Sequence, residues 1–188
     1  GIVVDNGIAY VAGGIFPAEG VFLYALDART GEEIWRNDTC GEDPQSRISP
    51  QGYMLASPTT LYAPMGRVSP AAFDRTTGTL KFLTSFGKAV GGTYALLVGD
   101  DVYTGTEQMV GFHGKTRDRF AAFWGHKLVV AENTAFVAED TKLAALDRKK
   151  FPVASMRLET LKNQKTTIDR NLASNPTDKN KALALQVV

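Results

Sequence analysis

A single cysteine, Cys40, stands in a chain of 188 residues. That excludes an internal disulfide and any zinc site built from cysteine. Only two histidines occur, His113 and His126, without the i, i+4 spacing or third ligand that a metal pair needs. Charge of one sign is missing too: Lys plus Arg number 21 against 20 acids, a formal charge of +1. A balance that near zero gives no electrostatic reason to bind nucleic acid or an anionic membrane. No apolar run approaches the roughly 20 residues that span a bilayer. The chain opens on Gly1-Ile2-Val3-Val4, inside a strand pattern, so a processed or excised start is expected and localisation is not read from it. Cys40 reads as a loop thiol, the alternative being a reactive or interchain role. The triplet Asn37-Asp38-Thr39 fits a glycosylation sequon, which matters only in a secreted eukaryotic protein.

What is present is a repeat. Hydrophobic residues make up 44% and charged ones 22% of the chain, enough for a packed core. Val21-Phe-Leu-Tyr-Ala-Leu-Asp27-Ala-Arg-Thr-Gly31-Glu-Glu-Ile-Trp35 returns as Pro70-Ala-Ala-Phe-Asp74-Arg-Thr-Thr-Gly78-Thr-Leu-Lys-Phe82. A truncated copy is Leu143-Ala-Ala-Leu-Asp147-Arg-Lys-Lys150, and a degenerate one runs from Met109 through Phe112-His113 to Phe120. The apolar residue before the Asp thus recurs at Leu26, Phe73, Phe112 and Leu146, a period of about 40 residues.

Each copy reads as a β-hairpin. Tyr24 and Leu26 alternate with their neighbours as a strand does. Asp27 and Thr30 can bond backbone groups of the turn, and Gly31 supplies a positive φ. Trp35 on the return strand suits packing between units, and His113, at the Asp position of its copy, is expected to cap the turn similarly. A second hairpin precedes each copy. Ile2 to Ala12 is two alternating runs joined by Asn6-Gly7, and its counterparts are Tyr53–Ala63, Tyr94–Thr104 and Lys127–Ala138. Two hairpins per repeat make four antiparallel strands, A to D from the inside outward. The predicted fold class is all-β, a β-propeller of which about three and a half blades are present.

At Tyr24-Ala-Leu-Asp27-Ala-Arg-Thr-Gly31-Glu-Glu-Ile-Trp35 the chain resembles the repeat of pyrroloquinoline quinone (PQQ)-type propellers. In that family a Leu-Asp, Thr-Gly, Trp signature marks the outer hairpin of each blade. The resemblance covers residues 1–150, with Phe82 at the Trp position of the second copy. Arg47-Ile-Ser-Pro-Gln51-Gly52-Tyr53 through Ala72-Phe-Asp74 also resembles a stretch of PQQ-like repeat proteins of unassigned function. The resemblance implies the bacterial envelope or periplasm as location.

Strand order puts the tight A–B and C–D turns on one face and the long B–C and D–A connections on the other. Binding on a rigid scaffold concentrates in such long loops. The candidate ligand-face residues are therefore Arg47, Ser49 and Gln51, entering an innermost strand, and Arg67 in a B–C loop. Arg47 suits bidentate pairing with a carboxylate or phosphate; the structural alternative is that both arginines satisfy loop carbonyls or flank the next blade.

A PQQ dehydrogenase of the family implies a calcium held by Glu and Asn, an Asp base, a Trp under the quinone and adjacent cysteines. With one cysteine the last is absent. Trp35 belongs to the repeat, and Trp124, at a D–A connection, is expected to serve ordinary packing. The paired glycines follow strands without opening a helix, so they are no nucleotide loop. Asp100-Asp101 looks like half a calcium site but is explained by a hairpin turn. The residues assign no catalytic group and no metal. The expected function is a non-catalytic binding or scaffolding module, with a protein partner or the remainder of the ring; PQQ and calcium enter only under the alternative of a dehydrogenase fragment.

From Phe151 the pattern changes. Leu158, Leu161, Ile168 and Leu172 take a helical spacing, a polar stretch follows from Asn175, and Ala182 to Val188 is apolar. Residues 151–188 are read as a helical insertion between strands C and D of the fourth copy, or a linker to a further strand, with the helix docked on its own propeller rather than on a partner. A fragment of a six- to eight-bladed ring is the first reading of the whole, assembly of partial rings the second.

Overall fold

The alternating runs build four antiparallel sheets in chain order. The computed structural model describes residues 1–14, 20–42, 48–84, 86, 90–106 and 108–174. Blade I holds β1 (Ile2–Asp5), β2 (Ile8–Gly13), β3 (Phe22–Asp27) and β4 (Glu33–Asn37) in spatial order 1-2-3-4. Blade II repeats this with β5 (Leu55–Ala56), β6 (Thr60–Ala63), β7 (Ala71–Asp74) and β8 (Leu80–Leu83). Blade III holds β9 (Ala95–Val98), β10 (Asp101–Thr104), β11 (Gln108–His113) and β12 (Arg119–Trp124). Blade IV has three strands among the described residues, β13 (Lys127–Val130), β14 (Thr134–Ala138) and β15 (Leu143–Asp147). The first strands β1, β5 and β9 lie beside one another, which makes them the inner strands of a β-propeller arc.

Register repeats as closely as order does. Trp35 pairs with Ala25 and Phe82 with Ala72, so Phe82 does hold the Trp position. A bulge interrupts each outer hairpin at the same place, between Ala25 and Leu26, Ala72 and Phe73, and Gly111 and Phe112. It adds twist where the outer strand leaves the ladder.

The turn aspartates account for the outer hairpins. Asp27 Oδ1 accepts the N–H groups of Arg29 and Thr30 at 2.9 and 2.7 Å, and Asp74 Oδ1 those of Thr76 and Thr77. Gly31 and Gly78 follow with φ of 78° and 72°. In blade III the expected cap is not made: the His113 ring instead pairs with Asp101 on β10 at 2.7 Å. Arg117, φ 68°, replaces the glycine there. An imidazole reaches farther from the backbone than a carboxylate, so it finds the neighbouring strand.

In blade IV the same device starts a helix. Asp147 Oδ1 accepts the N–H groups of Lys149 and Lys150, both at 2.9 Å, which makes it the N-cap of α1 (Lys150–Ser174). With no glycine to reverse the chain, the capped turn continues helically. The helix docks on its own propeller as expected, but by another stripe. Phe151 stacks on Phe123 with ring centroids 5.0 Å apart, Ser155 Oγ bonds both backbone groups of Ala122, and Glu159 pairs with Arg119. These follow an i, i+4 line that covers the outer strand β12, whereas Leu158 is exposed. The polar members of the stripe, Ser155 and Glu159, are invisible to a search for apolar periodicity.

Candidate functional site

Any site on this arc is held in place by the blade junctions. Trp35 of blade I donates its indole N–H to the Arg75 carbonyl of blade II at 3.0 Å. Its ring lies so close to Gly78 that a Cβ there would sit 2.5 Å from it. Asn37, the sequon asparagine, donates to the Gly78 carbonyl at 2.6 Å. Arg75 is buried between the blades. Its Nε donates to the Tyr10 hydroxyl at 2.7 Å, a terminal nitrogen donates to the Ser57 carbonyl at 2.9 Å, and the other pairs with Asp5. Burial opposes its charge, but these partners outweigh it and raise the guanidinium pKa.

The arrangement recurs along the arc. Tyr10, Tyr62 and Tyr103 occupy one register position, each on a second strand opposite a small third-strand residue, Ala25, Ala72 and Gly111. Each meets the residue after the turn Asp or His of the following blade. Tyr10 meets Arg75, the Tyr62 hydroxyl fills the space where a Cβ on Gly114 would lie, at 2.2 Å, and Arg148 stands beside the Tyr103 hydroxyl. Burial pushes the Tyr62 and Tyr103 phenols up, and Arg148 partly offsets this at Tyr103. Sequence reasoning missed these junction residues, although the tyrosines recur on the second strand of the first three copies and were legible there.

Grooves open between blades on the tight-turn side. One, between blades II and III, is lined by Tyr62, Lys81, Phe82, Asp100, Lys115 and Arg117; another, between III and IV, by Asp101, Tyr103, His113, Glu132 and Arg148. Their polar groups are largely engaged. Lys81 bonds Thr59 and Thr60, Lys115 pairs with Asp100 at 3.2 Å, and Arg117 lies over the Phe82 ring. The two aspartates of the supposed half calcium site are thus ion-paired apart, Asp100 with Lys115 and Asp101 with His113.

On the long-loop side the structure brings three of the four candidates into one neighbourhood. Gln51 Nε2 donates to Ser49 Oγ at 3.2 Å, and the Gln51 backbone bridges to Met65. The Gln51 amide lies over Gly66, 2.5 Å from where its Cβ would be, next to the exposed Arg67. Arg47 lies outside the described residues. The same side carries Ser69, Thr84 and Thr104, whose hydroxyls are buried without a hydrogen-bond partner. Ser69 lies in the B–C loop of blade II, and Thr84 and Thr104 cap the loop-side ends of β8 and β10.

Among the described residues, none is placed to hold a quinone or calcium. The inner strands β1, β5, β9 and β13 contain no tryptophan. Trp124 ends the outer strand β12 and is 63% exposed, so it neither lies under a ring nor packs as expected. Among the described residues no group of three His, Cys, Asp or Glu could hold a metal. Cys40 is buried, and burial pushes its thiol up to about 11. No described helix is long and apolar enough to cross a membrane.

No protein-family model and no curated protein matches the chain. Solved structures do. BamB from Moraxella catarrhalis overlaps with a TM-score of 0.53 at 16% identity, over 78% of this chain and 44% of that one. The computationally designed proteins Ika8 and Ika4 each overlap with a TM-score of 0.57 at 12% identity over 78% of this chain, covering 44% and 88% of theirs. The overlap with a quinohemoprotein alcohol dehydrogenase from Comamonas testosteroni, TM-score 0.48, is too loose to bear on chemistry. The chain thus spans less than half of the Moraxella protein, and at these identities the likeness establishes the β-propeller fold and nothing about activity.

Proposed function

We propose that the chain is a non-catalytic binding or scaffolding module of PQQ-like repeat blades, which engages a protein or small ligand on its long-loop face. The observation that carries this reading is the contrast between the two faces. Polar side chains of the turn face are consumed by turns and junctions, as with Asp27, Asp74 and Arg75. The loop face keeps exposed Arg67 beside the Ser49–Gln51 pair, and buried hydroxyls of Ser69, Thr84 and Thr104 without partners; buried polar groups otherwise find partners nearly always. Arg47 belongs to the same proposed surface, and residues 151–188 are read as an insertion or linker attached to blade IV. The envelope location implied by the repeat belongs to this proposal as well.

Immobilised chain screened against a peptide library tests it. Peptides that bind are expected to lose affinity with Arg67→Glu or Gln51→Ala and to keep it with Lys115→Ala on the turn face. Titration with PQQ and calcium is expected to show no saturable binding. Saturable binding with dye-linked alcohol oxidation would sink the reading in favour of a dehydrogenase fragment.

A further inference from the structure

The junction between blades II and III is built differently from the junctions on either side of it. The residue after the turn Asp or His is marked by one backbone bond, from its N–H to the first-hairpin turn of its own blade. Arg75 makes it to Thr59, Gly114 to Asp100 and Arg148 to Asn133. Arg75 and Arg148 send their guanidinium groups into the junction, where each bonds a carbonyl of that turn, Ser57 or Ala131. Gly114 sends no side chain, and the Tyr62 hydroxyl takes the space instead.

At this junction the arginine stands at the rim. The N–H of Arg117 bonds the His113 carbonyl as that of Gly31 bonds Asp27 and that of Gly78 bonds Asp74, so Arg117 occupies the glycine position of the turn. It keeps the left-handed backbone of those glycines, φ 68°, which a residue with a Cβ adopts only at a cost. Its guanidinium makes no hydrogen bond or ion pair among the described residues; it lies over the Phe82 ring, 4.8 Å from the centroid. An exposed cation over a phenyl ring stabilises less than such a backbone costs, so packing alone does not account for it. Strain of this kind collects where ligands are held. The groove that Arg117 borders measures about 430 Å³ and also holds Lys81 and Lys115, with a single acid, Asp100. Three cations against one carboxylate leave two positive charges uncompensated, in a chain whose formal charge is only +1. Lys115 meets Asp100 at 3.2 Å with its own side chain 83% exposed, so its ammonium keeps donors for a further partner.

The charge excess selects the ligand. A phosphate monoester carries about −1.5 to −2 at pH 7, which matches it, whereas one carboxylate would leave a cation unpaired. A guanidinium presents parallel N–H groups to phosphate oxygens, and lysines serve as point charges around it. We propose that the groove between blades II and III, bounded by Lys81, Lys115 and Arg117, binds a phosphate monoester. This site lies on the turn face, apart from the Ser49, Gln51 and Arg67 surface, and stands whether or not that surface binds a ligand.

Isothermal titration with methyl phosphate at low salt is expected to show saturable binding, roughly millimolar or tighter, that weakens as salt is added. Arg117→Gly is expected to weaken it about tenfold or more. The same variant should raise the melting temperature by about 2–4 °C, because the left-handed strain is gone. Arg117→Asn tolerates the same backbone and loses the affinity likewise, which keeps the test decisive should the glycine variant fold poorly. Lys81→Ala weakens binding about three- to fivefold, and Asp100→Asn strengthens it about threefold. Arg29→Ala, which removes a turn-face cation outside the groove, leaves it unchanged. A phosphoserine peptide held more tightly than methyl phosphate identifies a modified partner as the source, and equal affinity a small ester; both results support the phosphate site. No saturable binding of methyl phosphate up to about 10 mM, or binding that Arg117→Gly and Arg117→Asn leave intact, overturns the proposal.

Discussion

Arg75 Nε lies 2.7 Å from the hydroxyl of Tyr10, across the boundary between the first two blades. The contact joins residues far apart in sequence, and it fixes how one sheet sits on the next. Arg75→Ala leaves the Tyr10 hydroxyl and the Ser57 carbonyl buried without a donor. Removing one member of a buried hydrogen-bonded set costs about 2–4 kcal/mol, below the range for a fully buried pair because Asp5 is partly in water. Tyr10→Phe removes the acceptor but keeps the ring over which the guanidinium lies, and is expected to cost about 1 kcal/mol. Urea unfolding followed by tryptophan fluorescence measures both. Equal costs for the two variants would show that the guanidinium is not the organising group.

Gly78 and Gly31 provide a matched pair for weighing the blade contact. Both hold a positive φ, 72° and 78°, so an alanine at either pays the same left-handed strain of about 1–2 kcal/mol. Only at Gly78 does the added methyl also strike the Trp35 ring. Gly78→Ala is therefore expected to be more destabilising by at least about 1 kcal/mol, the range for an overpacked site. Chemical denaturation of the two single variants gives the difference. Trp35→Phe should narrow it, since the smaller ring makes room.

The strands, the hairpin turns and the blade order were legible in the sequence because each depends on neighbours close along the chain: alternation at Tyr24 and Leu26, Asp27 and Gly31 for a turn. Trp35 as an inter-blade residue was legible for the same reason, through its repeat. Arg75 was not, because its partners Tyr10 and Ser57 come from other strands and nothing local marks an arginine as buried. His113 misled in the same way, its partner Asp101 being on the adjacent strand. Strand counting assigns Ser49, Gln51 and Arg67 to one face, and the structure sets Gln51 against Ser49 and over Gly66, beside Arg67; a ligand there is the proposal above. The orphan hydroxyls of Ser69, Thr84 and Thr104 were not foreseen, since a serine or threonine at a strand end reads as ordinary loop chemistry.

Cys40 offers a direct probe of the first blade. Its thiol is buried, pushed up to about 11, and lies 3.5 Å from the Val21 carbonyl. Because the thiolate is the reactive form, the native protein at pH 8 should react with a thiol reagent far more slowly than the unfolded chain. Reaction at the free-thiol rate under native conditions would show that this segment opens readily.

The turn aspartates set the acid limit of stability. Asp27 and Asp147 are held below the usual carboxylate range by backbone N–H groups, Thr30 first for Asp27 and Lys150 first for Asp147; for Asp74 the Thr76 hydroxyl leads. A carboxyl whose folded pKa is depressed contributes stability that is present above its unfolded pKa, about 3.9, and is lost as pH falls through the folded value. The melting temperature should therefore be insensitive to these groups near neutrality and decline below about pH 4. Asp27→Asn and Asp74→Asn keep an acceptor for the turn but cannot be protonated, so the double variant should melt lower at pH 7 and show a shallower acid decline. Asp147→Asn tests the helix separately: asparagine also caps well, so α1 should persist by circular dichroism while the acid dependence weakens. If all three substitutions leave the slope of melting temperature against pH unchanged between pH 5 and 2, the turn carboxylates are not what acid titrates.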